Sequence, residues 1–350
     1  MNLTVYDYII VGQGLAGTAL AVELMRRKKT VLIFNDPDLH SSSMAAAGIF
    51  NPITGRRWVT TWKAQEVFAC FPKFYKELEK LVKVKFFHEM PVFRSFQNMQ
   101  EQNHWLSLPA AEVPAFVQEI TRPGNYSEFI KDSYGGILLN NSGYLNVSIF
   151  LKALKNYFME LGIYRQEKVT LDNINWQSPF AVNGSTADRL ILCLGYEGVR
   201  KTPFGDKPFN AVKGELLEVE TSIQLPEMIF NGPAFILPQS DGLIKVGATY
   251  DFNDETMETT IKAREILLER IHSFFLPEIR IRNQIAGFRP SSVDRRPVAG
   301  EHPHNKKLGI LNGLGTKGVS LAPYISKLLA DKFENGKELD REIDIKRFFD

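Results

Sequence analysis

The amino-acid sequence predicts an α/β protein with two parts: a discontinuous domain built around a parallel sheet, and a second, mostly antiparallel β-rich domain that carries helices. Two observations lead to this prediction. Residues 8–34 have the pattern strand, glycine-rich turn, helix, strand, and apolar runs typical of buried strands return at 188–195 and 308–312. Between them, residues 84–143 and 209–289 contain short strand-like runs separated by turn residues. We therefore expect the chain to leave the first domain twice and return to it.

The first strand, helix and second strand follow from local patterns. The apolar, β-branched run at 8–11 predicts a buried strand that ends at the glycines after it. Over residues 16–27, apolar side chains such as Leu20 and Leu24 recur at helical spacing, and the basic residues that follow suit a helix C-terminus. Residues 30–34 predict a second buried strand. Together they have the length expected of a βαβ unit.

The remaining elements follow from apolar periodicity and turn residues. We expect helices at 58–82, 146–161 (capped by Asn146), 259–275 and 319–333, and strands at 84–87, 92–96, 136–140, 214–220, 234–238, 243–249 and 279–288. The predicted boundaries are 1–83, 144–208 and 290–350 for the first domain, and 84–143 and 209–289 for the second.

Composition and charge exclude several classes of protein. Of the 350 residues, 44% are hydrophobic and 23% charged, which excludes disorder, collagen and coiled coil. A net charge of +2 is too small to imply an obligatory nucleic-acid or anionic-membrane partner. The two cysteines match no zinc or redox spacing, the six histidines form no metal set, and no run approaches the roughly 20 apolar residues of a membrane span. We expect no metal, no signal peptide and a cytoplasmic protein.

Three glycines, Gly12, Gly14 and Gly17, form a G-x-G-x-x-G motif between the first strand and the first helix. Only glycine allows the tight turn after the strand, the close approach of the backbone to a diphosphate and the close packing of helix on strand. A diphosphate would lie at the helix N-terminus, where free N–H groups and the helix dipole favour an anion. In this context the motif predicts a Rossmann-like dinucleotide-binding domain.

The residue that binds the ribose is left open by the sequence. In this fold an acid at the end of the second strand accepts hydrogen bonds from the ribose hydroxyls, and an aligned count puts Asn35 there, with Asp36 immediately after it. Either Asn35 makes one weaker contact, or a shift of one residue brings Asp36 into place. No Arg or Lys follows that would favour a 2′-phosphate.

Four motifs, in order along nearly the whole chain, resemble those of the D-amino acid oxidase superfamily. They are the glycine turn at 12–17, Ser-Ser-Ser-Met-Ala-Ala-Ala-Gly at 41–48, Gly-Phe-Arg-Pro-Ser-Ser-Val-Asp at 287–294 with Pro297 and Gly300 after it, and Gly-Leu-Gly-Thr-Lys-Gly-Val-Ser-Leu-Ala-Pro at 313–323. They resemble glycine oxidase and sarcosine oxidase in particular, and residues 246–251 are similar to the flavin domain of the bifunctional wobble-uridine tRNA-modifying enzymes. The resemblance implies FAD rather than NAD as the cofactor.

The resemblance also implies which residues contact FAD. Ser42, Ser43 and the small residues Ala46, Ala47 and Gly48 would let the backbone pass close to the diphosphate and the flavin. The other implied contacts are Leu15 and Ala16 in the glycine turn, Val169 at the adenine, Gly195 beside the cofactor, and Gly315, Thr316, Lys317, Gly318 and Val319 at the pyrimidine end of the flavin. A helix N-terminus at that end stabilises the negative charge of reduced flavin. The 315–319 loop contains no cysteine, so we expect FAD to be bound non-covalently.

Three cations are implied in the reaction by the same resemblance. Arg289 falls at the position with which glycine oxidase and D-amino acid oxidase bind the substrate carboxylate, a role that suits arginine because it gives two parallel hydrogen bonds. Lys317 falls at a carboxylate-binding lysine of sarcosine oxidase. Lys245 falls at the lysine with which that enzyme promotes the reaction of reduced flavin with oxygen.

The expected pocket differs from that of glycine oxidase. Phe235 replaces a phenol that glycine oxidase uses over its substrate, whereas Tyr250, which follows Thr249, falls at another pocket-lining position. Strand alternation predicts that Thr249 shares a face with Lys245. If the hydroxyl donor has moved to Tyr250, substrate preference differs from that of glycine oxidase.

The sequence thus predicts an FAD-dependent oxidoreductase that oxidises the C–N bond of a small amino acid or N-substituted glycine to an imine, which water hydrolyses, with oxygen or a quinone as acceptor. Two alternatives stay open: flavin-dependent removal of a carboxymethyl group from a modified tRNA wobble uridine, and a non-catalytic flavin-binding protein. Arg56 and Arg57 lie at a predicted helix start, where cations oppose the dipole, and are candidates for binding a second carboxylate or a phosphate.

Overall fold

The computed structural model describes residues 5–38, 42–43, 45–55, 58–170, 172, 174–196, 202–205 and 208–349, so Arg56 and Arg57 lie outside the described residues. Within these ranges the chain forms six α-helices: α1 (Leu15–Arg26), α2 (Ala64–Val82), α3 (Met99–Ser107), α4 (Val147–Glu160), α5 (Ile261–Phe274) and α6 (Gly318–Asn335). None of the helices in this part of the chain is long and apolar enough to cross a bilayer.

Twenty strands form within the same ranges. They are β1 (Val5–Val11), β2 (Val31–Phe34), β3 (Ile49–Phe50), β4 (Ile53–Thr54), β5 (Val59–Thr60), β6 (Phe87–Glu89), β7 (Val92–Ser95), β8 (Val117–Thr121), β9 (Gly136–Leu139), β10 (Gly143–Leu145), β11 (Tyr164–Arg165), β12 (Phe180–Val182), β13 (Ser185–Leu192), β14 (Phe209–Glu220), β15 (Ile229–Asn231), β16 (Phe235–Pro238), β17 (Ile244–Gly247), β18 (Arg280–Ser292), β19 (Val298–His302) and β20 (Asn305–Asn312).

A seven-stranded sheet contains the first strands of the chain. Its order is β11-β2-β1-β13-β20-β19, with β12 beside β13. Because β1 pairs in parallel with β2 and β13, and β13 in parallel with β20, the carboxyl ends of these four strands meet at one edge. Leu20 of α1 and Ile325 of α6 pack with Ile10 and Ile33 on one face. The predicted α/β class is confirmed.

An eight-stranded sheet contains the later strands, in the order β18-β14-β17-β16-β15-β7-β9-β8. Its pairs are antiparallel except for β15 with β7. On one face, Leu217 and Val246 pack with Leu267 and Ile271 of α5. The opposite face, which includes Leu237, is called the site face below. Two small sheets, β3-β10-β6 and β4-β5, complete the strand pairs.

The two large sheets divide the sequence in nearly the way that the predicted domains do. Every strand of the seven-stranded sheet lies within 1–83, 144–208 or 290–350. The eight-stranded sheet lies within 84–143 and 209–289, apart from residues 290–292 of β18. The domain boundaries themselves stay a prediction.

Side-chain caps start three of the helices, and at α3 the cap is Asn98, whose Oδ1 accepts a hydrogen bond from Glu101 N at 2.9 Å. Asn146 Oδ1 accepts a hydrogen bond from Ile149 N at 3.3 Å, so the predicted cap of α4 is confirmed. Thr260 Oγ1 accepts one from Ala263 N at 3.1 Å at the start of α5. Each cap satisfies an N–H group that the helix itself leaves free.

Some predicted elements differ from the observed ones, and one helix was not predicted. The strand predicted at 84–87 lies at Phe87–Glu89. The helix predicted from residue 58 begins at Ala64, because Trp58 and Lys63 have left-handed φ angles of 56° and 46° that an α-helix does not contain. The sequence analysis missed α3, of which only Trp105 is buried, so its sequence lacks a periodic apolar face. The strand predicted to reach residue 249 ends at Gly247.

The turn between β1 and α1 depends on two missing side chains. Gly12 has a φ of 104°, which side chains rarely adopt. A Cβ atom on Gly17 would lie 1.9 Å from the carbonyl oxygen of Gly12. Helix α1 can therefore pack this closely on β1 only because residue 17 is glycine.

Gly17→Ala should lower the free energy of unfolding by about 2–3 kcal/mol, because the backbone must move to admit the methyl group. Gly162→Ala is the matched control: its φ is 72° with nothing within 4 Å of the added Cβ, so strain alone should cost about 1 kcal/mol. Urea unfolding of both variants measures the difference. Equal losses would contradict the packing explanation.

Candidate functional site

The N-terminus of α1 has the features of an anion site. No side chain caps this helix, and a Cβ on Gly14 would meet only Ser43 Oγ, at 3.3 Å. Leu15 N lies 3.5 Å from the same oxygen, a long hydrogen bond. Ala16, in the first turn, is half-buried. Free N–H groups and the positive end of the helix dipole therefore border a space that Gly14 leaves open.

The start of α6 lies next to the start of α1. Helix α6 follows a 3-10 helix, Gly315–Lys317, and no side chain caps either of them. A Cβ on Gly318 would lie 3.1 Å from Leu15 Cδ1, so the two helix starts are in contact. Thr316 is exposed beside them, and the Val319 carbonyl oxygen accepts a hydrogen bond from the Tyr75 hydroxyl at 2.8 Å. Two dipoles thus favour negative charge in one region.

At the end of β2, Asn35 and Asp36 have different surroundings. Asn35 Oδ1 accepts a hydrogen bond from Gln13 N at 2.8 Å, which fixes its carboxamide against the glycine turn. Asp36 Oδ1 accepts one from Asp38 N at 2.9 Å and turns back on its own loop. The ribose contact stays a prediction, and this geometry favours Asn35 for it.

The loop that contains the second motif lies in space between the start of α1 and the eight-stranded sheet. Ser43 lies at the start of α1, whereas Ala45 packs on β18: a Cβ on Gly287 would lie 2.5 Å from Ala45 Cβ. Ala47 packs on the site face. A Cβ on Gly48 would lie 2.0 Å from the carbonyl oxygen of Leu145, so main-chain packing by itself requires glycine there. The loop joins the two halves of the candidate site.

The other cofactor residues predicted from the sequence lie in this loop or at the seven-stranded sheet. Ser42 and Ala46 are half-buried on either side of Ser43 and Ala45 in the loop. Gly195 follows β13, and its carbonyl oxygen accepts a hydrogen bond from Asn312 Nδ2 at 2.8 Å. Val169 is half-buried against the core on the other face of the seven-stranded sheet.

Arg289 lies flat across β14. A Cβ on Gly214 would lie 2.1 Å from Arg289 Nη2, so the guanidinium fills the place of the missing side chain. Nη1 donates a hydrogen bond to the Lys213 carbonyl oxygen at 3.2 Å, and Nη2 donates one to the Thr249 carbonyl oxygen at 3.1 Å. The Tyr250 ring centre lies 4.1 Å from Cζ, and the ring is 60% exposed. Three neighbours therefore fix the plane of the guanidinium.

The charge of Arg289 has no partner carboxylate in the part of the chain that the structure describes. Among the described residues, none forms an ion pair with it, and burial lowers the pKa of the guanidinium. Arginine nevertheless stays protonated at neutral pH. A half-buried cation in this state favours a negatively charged ligand.

Thr249 and Lys245 do not line one surface as the predicted strand implied. Thr249 Oγ1 accepts a hydrogen bond from Glu215 N at 2.9 Å, so its hydroxyl completes the strand pairing. Lys245 lies on the site face opposite Glu218, whereas Arg289 lies opposite Val212. Six residues of β14 separate these positions, about 20 Å at 3.3 Å per residue.

Lys245 is a partly buried cation at the other end of the site face. Burial lowers the pKa of its ammonium, against a smaller opposite effect of Glu218 and Asp241. Between Lys245 and Arg289, the Phe235 ring covers Gly247, at which a Cβ would lie 2.8 Å from Phe235 Cζ. The middle of the site face is therefore apolar.

Lys317 faces different surroundings from Arg289. Its side chain lines a small cavity with Trp62 and Arg296. Burial, and then the positive charge of Arg296, lower the pKa of the Lys317 ammonium. The structure thus does not bring the two cations proposed for the substrate to one point. In the described ranges, no group of three or more His, Cys, Asp or Glu side chains is placed to hold a metal ion.

The sequence analysis missed Lys213 and Glu215, which are 1% and 3% exposed on the α5 side of β14. Their signal was present: these two charged residues lie two positions apart in the strand, so they share one face with the apolar Leu217.

Comparison with known proteins gives one family. A family model described as DAO, FAD dependent oxidoreductase, matches residues 7–332. Glycine oxidase of Bacillus licheniformis is 22% identical over 342 residues, which cover 93% of this chain and 92% of that protein. The tRNA 5-methylaminomethyl-2-thiouridine biosynthesis bifunctional protein MnmC of Marinobacter nauticus is 28% identical over 163 residues, which cover 42% of this chain and 26% of MnmC. The match thus spans about a quarter of MnmC.

The fold is similar to that of a solved glycine oxidase. The structure of glycine oxidase from Bacillus cereus ATCC 14579 superimposes with a TM-score of 0.81 at 23% identity, covering 95% of this chain and 96% of that one. The likeness extends over both large sheets.

Lys245→Met should raise the melting temperature at pH 7, because a buried ammonium has lost hydration. The pKa of Lys245 is lowered on folding, so the cost is fully present below that lowered pKa. It disappears as the pH rises through the lowered pKa towards the ordinary value of 10.5, and the gain should shrink accordingly.

Thermal unfolding of Lys245→Met from pH 7 to 10.5 tests this sign. Lys152→Met, at an exposed position of α4, is the control and should change the melting temperature little at any pH. A gain of equal size in both variants would contradict the burial explanation.

Proposed function

Because the chain belongs to the DAO family of FAD-dependent oxidoreductases, we propose that it oxidises the C–N bond of a small amino acid or an N-substituted glycine. The observation that carries this proposal is the half-buried Arg289 guanidinium, which no carboxylate in the described part of the chain balances. A substrate carboxylate would supply the missing charge in the bidentate geometry that arginine offers.

FAD fits the residues at the two helix starts. The open space over Gly14, beside Ser43, suits the diphosphate, because the uncapped N-terminus of α1 offers free N–H groups. Residues 315–319 would donate N–H groups to the pyrimidine end, and Asn35 would contact the ribose. When bound, FAD supplies the acceptor for a hydride from the carbon next to the amine nitrogen. No covalent attachment is needed in this arrangement.

Arg289 orients the substrate in this proposal. Two of its five N–H groups are used by the carbonyl oxygens of Lys213 and Thr249, which leaves donors for a carboxylate. The Tyr250 ring closes one side of the guanidinium plane. A carboxylate held at one end fixes the direction of the α-carbon and of the amine.

The rest of the site face would favour an uncharged amine. Phe235 and Gly247 offer an apolar surface that disfavours an ammonium group and excludes water. The imine formed by oxidation is hydrolysed once it reaches water. We assign Lys245 to the reaction with oxygen as a further part of this proposal. Lys317, beside Trp62 and Arg296, is a candidate for a carboxylate other than the one held by Arg289. A quinone is the alternative acceptor.

A second candidate function is removal of a carboxymethyl group from a tRNA wobble uridine. Support comes from the similarity to MnmC over 163 residues, and such a group on nitrogen is itself an N-substituted glycine. Against it, Asp251 and Glu258 follow Tyr250 closely, and acidic residues beside the site oppose a polyanion.

Anaerobic mixing of the FAD-loaded protein with glycine, sarcosine, proline, D-amino acids and acidic N-substituted glycines tests the proposal. We expect at least one of these compounds to bleach the visible absorbance of the flavin. A protein that none of them bleaches, but that a carboxymethylated wobble-uridine RNA does, would favour the second candidate.

Arg289→Ala should raise the KM of the bleaching amino acid by about 100-fold, because it removes the half-buried charged partner of the carboxylate. Arg289→Lys should recover only part of the loss, since a lysine lacks the planar fork. Steady-state kinetics and the flavin spectrum of each variant provide the measurement.

Arg282→Ala is the control on the same strand. Arg282 pairs with Glu220 at 2.6 Å on the exposed part of β18, and its loss should leave KM unchanged. A wild-type KM in Arg289→Ala would show that Arg289 does not bind the substrate carboxylate.

A further inference from the structure

Lys213 is a buried lysine that holds one segment of chain. Its side chain is 1% exposed, and its Nζ donates hydrogen bonds to Asp254 Oδ2 at 2.6 Å, Thr256 Oγ1 at 3.3 Å and the Glu258 carbonyl oxygen at 2.5 Å. All three acceptors belong to residues 249–260, which connect β17 to α5 and are called the strap below. A single ammonium group therefore fixes the strap at three points.

The first residues of the strap contact the guanidinium of Arg289. The Thr249 carbonyl oxygen accepts a hydrogen bond from Nη2, and the Tyr250 ring lies against Cζ. Asp251 then pairs with Lys213 through two main-chain hydrogen bonds of 2.9 Å. The Lys213 carbonyl oxygen accepts from both Asp251 N and Arg289 Nη1. Main chain and side chain of Lys213 thus connect the strap to Arg289.

The far end of the strap is anchored by a second buried charge. Glu215 accepts hydrogen bonds from Thr260 N at 3.0 Å, Thr260 Oγ1 at 2.9 Å and Gln284 Nε2 at 2.6 Å. Thr260 in turn caps α5. The free part of the strap therefore lies between Thr249 and Thr260, where Lys213 supplies the side-chain anchor.

Packing alone does not account for a lysine at this position. Lys213 lies on the face of β14 on which Leu217 and Val219 form an apolar core with α5. Burying an ammonium costs free energy that its ion pair with Asp254 only offsets, and an apolar side chain would fill the space without that cost. What lysine provides at this position, and an apolar side chain would not, is the set of hydrogen bonds to the strap.

We propose that Lys213 is a positioning residue for Arg289. Lys213 holds the strap, so that the Thr249 carbonyl oxygen and the Tyr250 ring keep the guanidinium flat over Gly214 and turned towards a carboxylate ligand. This inference rests on the proposed function, since it assumes that Arg289 binds a carboxylate. According to this inference, a residue on the α5 face of the sheet affects the affinity for a ligand on the site face.

The state of the ion pair supports a permanent anchor. Hydrogen bonds from Lys213 and from Thr256 lower the pKa of Asp254 to about 2. The carboxylate therefore stays ionised throughout the pH range in which the protein is studied.

The test variant carries Lys213→Met together with Asp254→Asn, because removal of Asp254 alone would leave the buried ammonium without its nearest carboxylate. Glu215 Oε1 also lies 3.9 Å from Lys213 Nζ, and in this variant it keeps its three hydrogen bonds from Thr260 and Gln284. The probe is acetate, titrated into the FAD-loaded protein and followed by the change in flavin absorbance. We expect the Kd of acetate to rise about tenfold, the factor that corresponds to losing one charge-assisted hydrogen bond. The Kd of FAD should stay within about twofold of wild type, a split that a general loss of structure would not give.

Two further variants keep the test decisive. Lys332→Met removes another buried lysine, on α6, that pairs with Glu338 at 3.1 Å, and it should leave the Kd of acetate unchanged. Thr256→Val removes the hydroxyl that accepts from Lys213 Nζ and donates to Asp254 Oδ1. It does so without stranding a charge, and it should raise the Kd of acetate about twofold to threefold. Thr256→Val serves as the test if the double variant does not fold.

The outcomes separate the inference from the proposed function. If Arg289→Ala binds acetate as tightly as wild type, the proposed function itself fails. If Arg289→Ala loses acetate affinity but neither the double variant nor Thr256→Val does, the inference about Lys213 alone is wrong. It is also wrong if the Kd of FAD rises by the same factor as that of acetate, or if Lys332→Met has the same effect.

Discussion

The antiparallel register of β14 with β18 is the constraint on which the candidate site depends. It places Arg289 opposite Val212 and Gly287 opposite Gly214, so the guanidinium reaches a strand position that has no side chain. A slip of one residue would move Arg289 to the α5 face of the sheet. Because side chains alternate along β14, the same register puts Lys213 on that opposite face. One strand thus carries both the surface that accepts the guanidinium and the anchor behind it.

Positive charge from three elements converges around the loop at 42–48. The starts of α1 and α6 touch each other, and a bridge between Ser291 and Leu314 joins β18 to the turn before α6. Ala45 of the loop packs on Gly287, two residues from Arg289. An anionic cofactor and an anionic substrate would therefore be held by neighbouring parts of the two large sheets. Fixed dipoles and charges of this kind need little rearrangement when negative charge develops during a reaction.

The sequence predicted those features that depend on neighbouring residues. The roles of Gly12 and Gly17 could be assigned because the strand, turn and helix that require them are contiguous, and Asn146 could be recognised as a cap for the same reason. Lys213 could not be interpreted in this way, since Asp254 and Glu258 lie 41 and 45 residues away. The placement of Thr249 was mistaken because the prediction extended strand alternation beyond the end of β17.

The central claim is that the charge of a substrate carboxylate, bound by Arg289, controls the reaction. It is tested most directly by the rates at which an amino acid and its own amide reduce the FAD-loaded protein without oxygen, compared at equal concentrations of the uncharged amine. The amide then differs chiefly by lacking the carboxylate charge. We expect the second-order rate constant of flavin reduction to be lower for the amide by about 100-fold or more. Equal reduction by glycine and glycinamide, or by sarcosine and its amide, would contradict the claim.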